Sequence, residues 1–208
     1  GSDPNAKVTK KSKSPLSFHP IALIFGLLSF VSYLVEGAVG DWSALYLFED
    51  KGIVIEEAVM GVMLFNGTMC IGRLLGNRLG KHLTSKQVVV GGYLLGSIAM
   101  GLIVFLPGHA SMYTYLLLGI SLAMIVPNLF SAMGEQNVIP MTQAVATSTM
   151  LGYMGILMGP ALIGFIAHGT SLTVAFIVLT TLLVVSAGIG KYAYHLMSKD
   201  CGLSEEQI

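Results

Sequence analysis

The sequence predicts an all-α polytopic membrane protein with six transmembrane helices, and three observations carry that prediction. Only 11% of the 208 residues are charged while 54% are apolar; a soluble domain carries roughly 25% charged residues. The mean hydropathy is +0.77. Six continuous apolar stretches are each long enough to cross a bilayer, which takes roughly 20 residues. In hydrocarbon every backbone N–H and C=O must find its partner inside the protein, so such stretches are helices rather than open strands. They run continuously instead of alternating apolar with polar, which excludes a membrane barrel.

The same figures exclude other classes. Lys+Arg and Asp+Glu both number 11, giving zero net charge, so no basic excess points to nucleic acid. The composition is too apolar for a disordered chain. Two cysteines do not make a disulfide scaffold. Cys70 lies in an apolar run and Cys201 in a polar end, so no bridge between them is expected.

The stretches run from about Pro20 to Leu47, Ala58 to Leu75, Val88 to Leu106, Met112 to Met133, Ala144 to Ala167 and Leu172 to Tyr194. Glu49-Asp50-Lys51-Gly52, the basic stretch around Lys81, Pro107-Gly108, Pro140 and His168-Gly169 separate them. Residues 1–15 are polar, carry Lys7, Lys10, Lys11 and Lys13, and read as a cytosolic linker or tail. Gly1-Ser2 reads as a cloning scar or the start of a fragment. Residues 16–197 form the expected bundle, and residues 198–208 a cytosolic tail.

Basic residues collect on the cytosolic side of a membrane protein. The N-terminal tail has four lysines, the second connection has Arg73, Arg78, Lys81 and Lys86, and the C-terminal end has Lys191 and Lys199. These all fall on one side of a six-span chain, leaving only Lys51 on the other. Both termini are therefore expected in the cytosol.

Chemistry is expected where polar groups enter the spans. The first span holds Glu36 and Asp41, and acids at membrane depth usually face a bundle interior or a watery cavity. Glu36 lies 16 residues past Pro20, about 24 Å along a helix and so in the outer half, with Asp41 farther out. Five residues turn a helix by about 140°, which separates the two acids unless Gly37 and Gly40 permit a bend. Glu36 is the better candidate for a protonatable switch, and Asp41 reads equally as a surface residue.

Gly72, Gly76 and Gly80 recur every four residues and make a close-packing face. Arg73 and Arg78 stand at the same end as Glu135, so salt bridges to Glu135 are open; the bland alternative is arginines that only fix topology. Gly152, Gly155 and Gly159 form a second packing face. Pro127 removes the hydrogen bond to the Ala123 carbonyl and Pro160 that to Ile156, so helix breaks are expected at both. Asn66 and Asn128 read either as substrate ligands or as interhelical hydrogen bonders. The 12 methionines read as ordinary core and lipid-facing residues.

No catalytic or Walker motif stands out. His19, His82, His109, His168 and His195 fall at or near helix ends. No metal site, cofactor or enzymatic activity is expected.

The run from Glu36-Gly37-Ala38 through Asp41-Trp42-Ser43-Ala44 to Tyr46-Leu47 resembles the seventh helix of the fucose-permease-like, YbjJ- or MosC-type branch of the major facilitator superfamily, where the pattern reads E-G-A-x-x-D-W-S-A-x-Y-L. The stretch Gly72-Arg73 to Gly80 resembles that superfamily's G-R-x-x-G-D-R loop, with Asn77 where the pattern has Asp. Gly152 to Pro160 resembles its eleventh helix. The resemblance implies the C-terminal six-helix half of a twelve-helix secondary transporter, with a three-plus-three inverted repeat and a substrate site near the midplane. It implies proton-coupled movement, by symport, of a small solute across a bacterial inner membrane. Glu36 and Asp41 are then coupling candidates. Tyr33, Trp42, Asn66, Asn128 and Tyr153 are candidates for the substrate cavity. Gly72, Arg73, Gly76, Asn77, Arg78, Gly80 and Glu135 would form a cytosolic gate. The expected partners are the lipid bilayer, a small-molecule substrate with protons, and a missing N-terminal half or a second copy. The alternatives are a truncated or non-transporting protein with a structural role, and a half-transporter working as a homodimer.

Overall fold

The computed structural model describes residue 16 and residues 18–79 and 83–201, without the side chains of 77–79 and 201. The expected linker at residues 1–15 and most of the C-terminal tail lie outside the described residues. The helices are α1 (Pro20–Glu49), α2 (Ile55–Leu79), α3 (Ser85–Phe105), α4 (Gly108–Ala123), α5 (Ile125–Glu135), α6 (Met141–Gly169) and α7 (Leu172–Cys201). Because α4 and α5 share one span, six spans cross the bundle and no strand occurs among the described residues.

Local chemistry explains where the helices begin and end. His19 caps α1 by accepting from the Ile21 amide, and Pro20 takes a position that needs no donor. Thr84 and Gln87 form a reciprocal capping box, which starts α3 at Ser85 rather than near Val88. No proline or terminating glycine stops α7 at 197; the helix continues to Cys201, and the boundary read from hydropathy falls inside it.

The two span prolines behave differently. Near Pro127 the fourth span breaks at Met124, one residue past the Ala123 carbonyl that has lost its donor. Asn128 bonds the Met124 carbonyl with its side chain at 2.8 Å. Pro160 does not break its helix: α6 runs through it without interruption. The carbonyl it frees on Ile156 lies against Gly37 of α1, where an added Cβ would stand 2.8 Å from that oxygen.

The helices pack as two sets of three. α1 packs against α2 and α6, while α3 packs against α4 and α7. The edges close where α2 meets α4 and α6 meets α7. Exchanging α1–α3 with α4–α7 carries the α1–α6 contact onto α2–α4 and the α3–α4 contact onto α1–α7, as a three-plus-three repeat requires. Tyr93, fully buried, ties α3 to α1. Its hydroxyl donates to the Leu28 carbonyl at 2.7 Å and accepts from Ser32 at 2.8 Å.

Glycine sets the closest contacts. A side chain on Gly155 would collide with the Phe30 carbonyl, and one on Gly159 with that of Leu34. Gly72 and Gly76 turn to Ala123 and Met124 of the α4 end. At the opposite end of the bundle, Lys51 donates to the Val104 and Leu106 carbonyls at 2.6 and 2.9 Å, closing the C-terminus of α3 where cations are favoured. Burial there lowers its pKa, opposed by Asp50.

Gly155→Ala should lower the thermal stability of the bundle in detergent by about 1–3 kcal/mol, the usual cost of overpacking. Gly188→Ala, where nothing lies within 4 Å of the new Cβ, should leave it unchanged or raise it by up to about 1 kcal/mol. Circular-dichroism melting distinguishes the two; equal effects would contradict the glycine seam.

Candidate functional site

An ion pair inside the membrane spans organises the site. Glu36 is 16 residues from the start of α1 and 13 from its end, about 24 and 20 Å at 1.5 Å per residue. It therefore sits near the middle of α1, slightly nearer the end that leads into α2. Arg73, on the antiparallel neighbour α2, reaches it with Nη2 at 3.0 Å from Oε2. Arg73 lies 18 residues from the start of α2, about 27 Å, so the pair differs by roughly 7 Å in depth. A long side chain spans that offset. Arg73 thus pairs with Glu36 of α1 rather than with Glu135, a pairing the sequence left open; Glu135 is exposed at the end of α5.

Tyr33 lies one turn before Glu36 and stacks on Tyr153 of α6, the ring centroids 6.1 Å apart and the planes 6° from parallel. Gly152 makes that geometry possible, since a Cβ there would approach the Tyr33 ring to 2.7 Å. Tyr33, Glu36, Gly40 and Asp41 follow one another along a partly open stripe of α1. Glu36 and Asp41 border the same stripe because it is wider than the angle between them. On α2, Asn66, Cys70 and Arg73 recur on one exposed face at helical spacing. The site is therefore a shallow surface over α1, flanked by α2 and α6, with its charges 21% and 42% exposed at Glu36 and Arg73.

Two of the cavity candidates make hydrogen bonds within the bundle. Trp42 donates its indole N–H to the Pro160 carbonyl at 2.9 Å, its ring lying against Gly164. Asn128 stitches the α4–α5 break. Asn66 bonds the Val62 carbonyl of its own helix while remaining on the exposed face. Of the expected gate, Gly72 and Gly76 pack α2 against α4. The side chains of Asn77 and Arg78, and all of Gly80, lie outside the described residues. Gln136, which the sequence reading passed over, is buried and shapes the α5–α6 connection by accepting from the amides of Val138 and Ile139. No hydropathy signal singles it out.

Exposed methionines concentrate on two helices. Met60 and Met63 of α2 and Met150, Met154 and Met158 of α6 are all exposed. The exposed apolar residues of α3 and α7 include Leu94, Ile98, Val184 and Val185, whereas Met100 and Met197 of those helices are buried.

Curated relatives share this sequence. An MFS-type transporter of Yersinia pestis is 41% identical over 168 residues, 79% of this chain and 43% of the relative. The chain belongs to the major facilitator superfamily. The membrane protein MosC of Rhizobium meliloti is 30% identical over 170 residues, 80% of the chain and 42% of its own length. The chain thus spans less than half the length of the superfamily members it matches. Among solved structures, the Escherichia coli fucose:proton symporter FucP matches with a TM-score of 0.72 over 83% of this chain and 42% of the symporter. At 16% identity that match shows a shared superfamily fold. No protein-family profile matches the chain.

Glu36→Gln and Arg73→Gln should each lower thermal stability in detergent, because each leaves one charge without its partner. Partial exposure keeps each effect to about 1–2 kcal/mol. The double variant should lose less than the two single losses together. Strict additivity would show that the two side chains do not interact.

Proposed function

We propose that this chain is the C-terminal half of a proton-coupled secondary transporter for a small solute. It is an integral membrane protein with transporter relatives. The observation that carries the reading further is the Glu36–Arg73 pair on a face that the bundle leaves open. An ion pair at membrane depth is stable where water or another polar surface meets it. The methionine-rich flanks of that face suit a surface that repacks, because an unbranched thioether adapts its shape at little cost. Opposed to an N-terminal half, α1, α2 and α6 would wall a central cavity between two rocking bundles.

In this reading Glu36 is the coupling group. Protonation removes its negative charge and releases Arg73, which favours a different packing of α1 against α2. Asp41 is the second coupling candidate, farther along the same stripe. Tyr33, Tyr153 and Asn66 offer ring faces and an amide to solute, and Trp42 holds the wall behind them. Arg78 and Glu135, with the glycines from Gly72 to Gly80, form the gate at the end bearing most basic residues. That end and both termini are cytosolic, and the membrane is a bacterial inner membrane. With Asn77 in place of an acid, the gate holds fewer charges than the superfamily pattern.

Two measurements test this reading in the complete transporter. Glu36→Gln should abolish accumulation driven by a proton gradient while leaving exchange of solute across the membrane; unchanged proton-driven accumulation excludes Glu36 as the coupling site. Exchanging the charges of Arg78 and Glu135 should restore transport lost when either one alone is reversed, and failure of that rescue removes their pairing.

A further inference from the structure

A second surface, remote from Glu36 and Arg73, has the chemistry of a lipid site. Between α3 and α7 lies a groove of about 620 Å³. Thr84, Lys86 and Lys191 line its polar part, and Val90, Gly91 and Leu94 its apolar part. Gly190, beside Lys191, faces the first turns of α3: a Cβ there would lie 3.6 Å from Val90 and 3.7 Å from Val89. Lys191 is therefore held beside the first turns of α3, near Lys86. Gly91 opens the floor: nothing stands within 4 Å of a Cβ built there. Beyond it Leu94, Ile98 and Leu102 continue the apolar track along the exposed side of α3.

Two ammonium groups at one end of an apolar track match an amphipathic anion. A free anion would use only the lysines, and a zwitterionic lipid would bring its own cation to them. We propose that this groove seats one anionic phospholipid, its phosphate between Lys86 and Lys191 and an acyl chain along Val90, Gly91 and Leu94. The site lies on the α3–α7 side and so leaves the open face over α1 free. It anchors the bundle at the depth of the lipid headgroups, independently of any solute carried elsewhere.

Native mass spectrometry of the chain in mild detergent tests this with phosphatidylglycerol, phosphatidylcholine and inorganic phosphate. One phosphatidylglycerol should be retained in preference to phosphatidylcholine, and millimolar phosphate should not displace it. K86Q with K191Q should weaken retention roughly thirtyfold, the expectation for two basic groups at an anionic surface. Gly91→Leu keeps both charges but fills the floor; loss of two buried methylenes lowers retention roughly fifteenfold. Its melting temperature should not fall, because the new side chain meets open space. Equal retention of the two lipids, or retention unchanged in both variants, overturns the proposal. Displacement by phosphate overturns it too, assigning the lysines to a free anion.

Discussion

Where Gly155 and Gly159 pass Phe30 and Leu34, no side chain separates α6 from α1. The Ile156 carbonyl, freed by Pro160, meets Gly37 in the same seam. Lipid tails are as apolar as leucine, so burial from water does not drive helices together inside a bilayer. Close van der Waals contact must do that work, and small residues make it available. The seam fixes the rotation of α1 about its axis. That rotation aims Tyr33 and Glu36 at the open face and sends Leu28 and Ser32 toward Tyr93. The indole of Trp42 holds the same seam farther along, on a carbonyl one turn from the freed one.

With α1 fixed, α2 determines the electrostatics. Its glycines at 72 and 76 draw it onto the end of α4, and Arg73, turned about 100° from Gly72, points away from that contact to meet Glu36. A single small-residue repeat therefore seats the helix and presents its charge. The result places the ion pair, the stacked tyrosines and the exposed methionines over α1, α2 and α6.

The distal end of the bundle, where α1 hands over to α2, is tied more firmly. Lys51 closes α3, and its ammonium stands 5.3 Å from the centre of the Tyr46 ring. Tyr46 in turn stacks on Phe176 at the start of α7. Thr173 of α7 donates to Asp50 at 2.6 Å. These contacts join α1, α3 and α7 into one block. The fourth span instead carries its break at Met124, stitched by Asn128. Shape change is easiest where backbone bonds are already missing, so the break and the open face are where this fold can yield.

The sequence alone determined the membrane class, the six spans and the glycine faces, because hydropathy and helical spacing are local properties of the chain. It also marked Glu36 and Arg73 as exceptional, since a charge in an apolar run is visible without coordinates. Tertiary structure decided what those residues meet. The pairing of Arg73 with Glu36, the recruitment of Trp42 and Asn128 to the scaffold, and the uninterrupted passage of α6 through Pro160 depend on interhelical register. Register is set by how closely two backbones approach and at what depth. One sequence read along its length gives the periodicity of each helix but not the offset between neighbours, and that offset selects the partner of every polar group in the bundle.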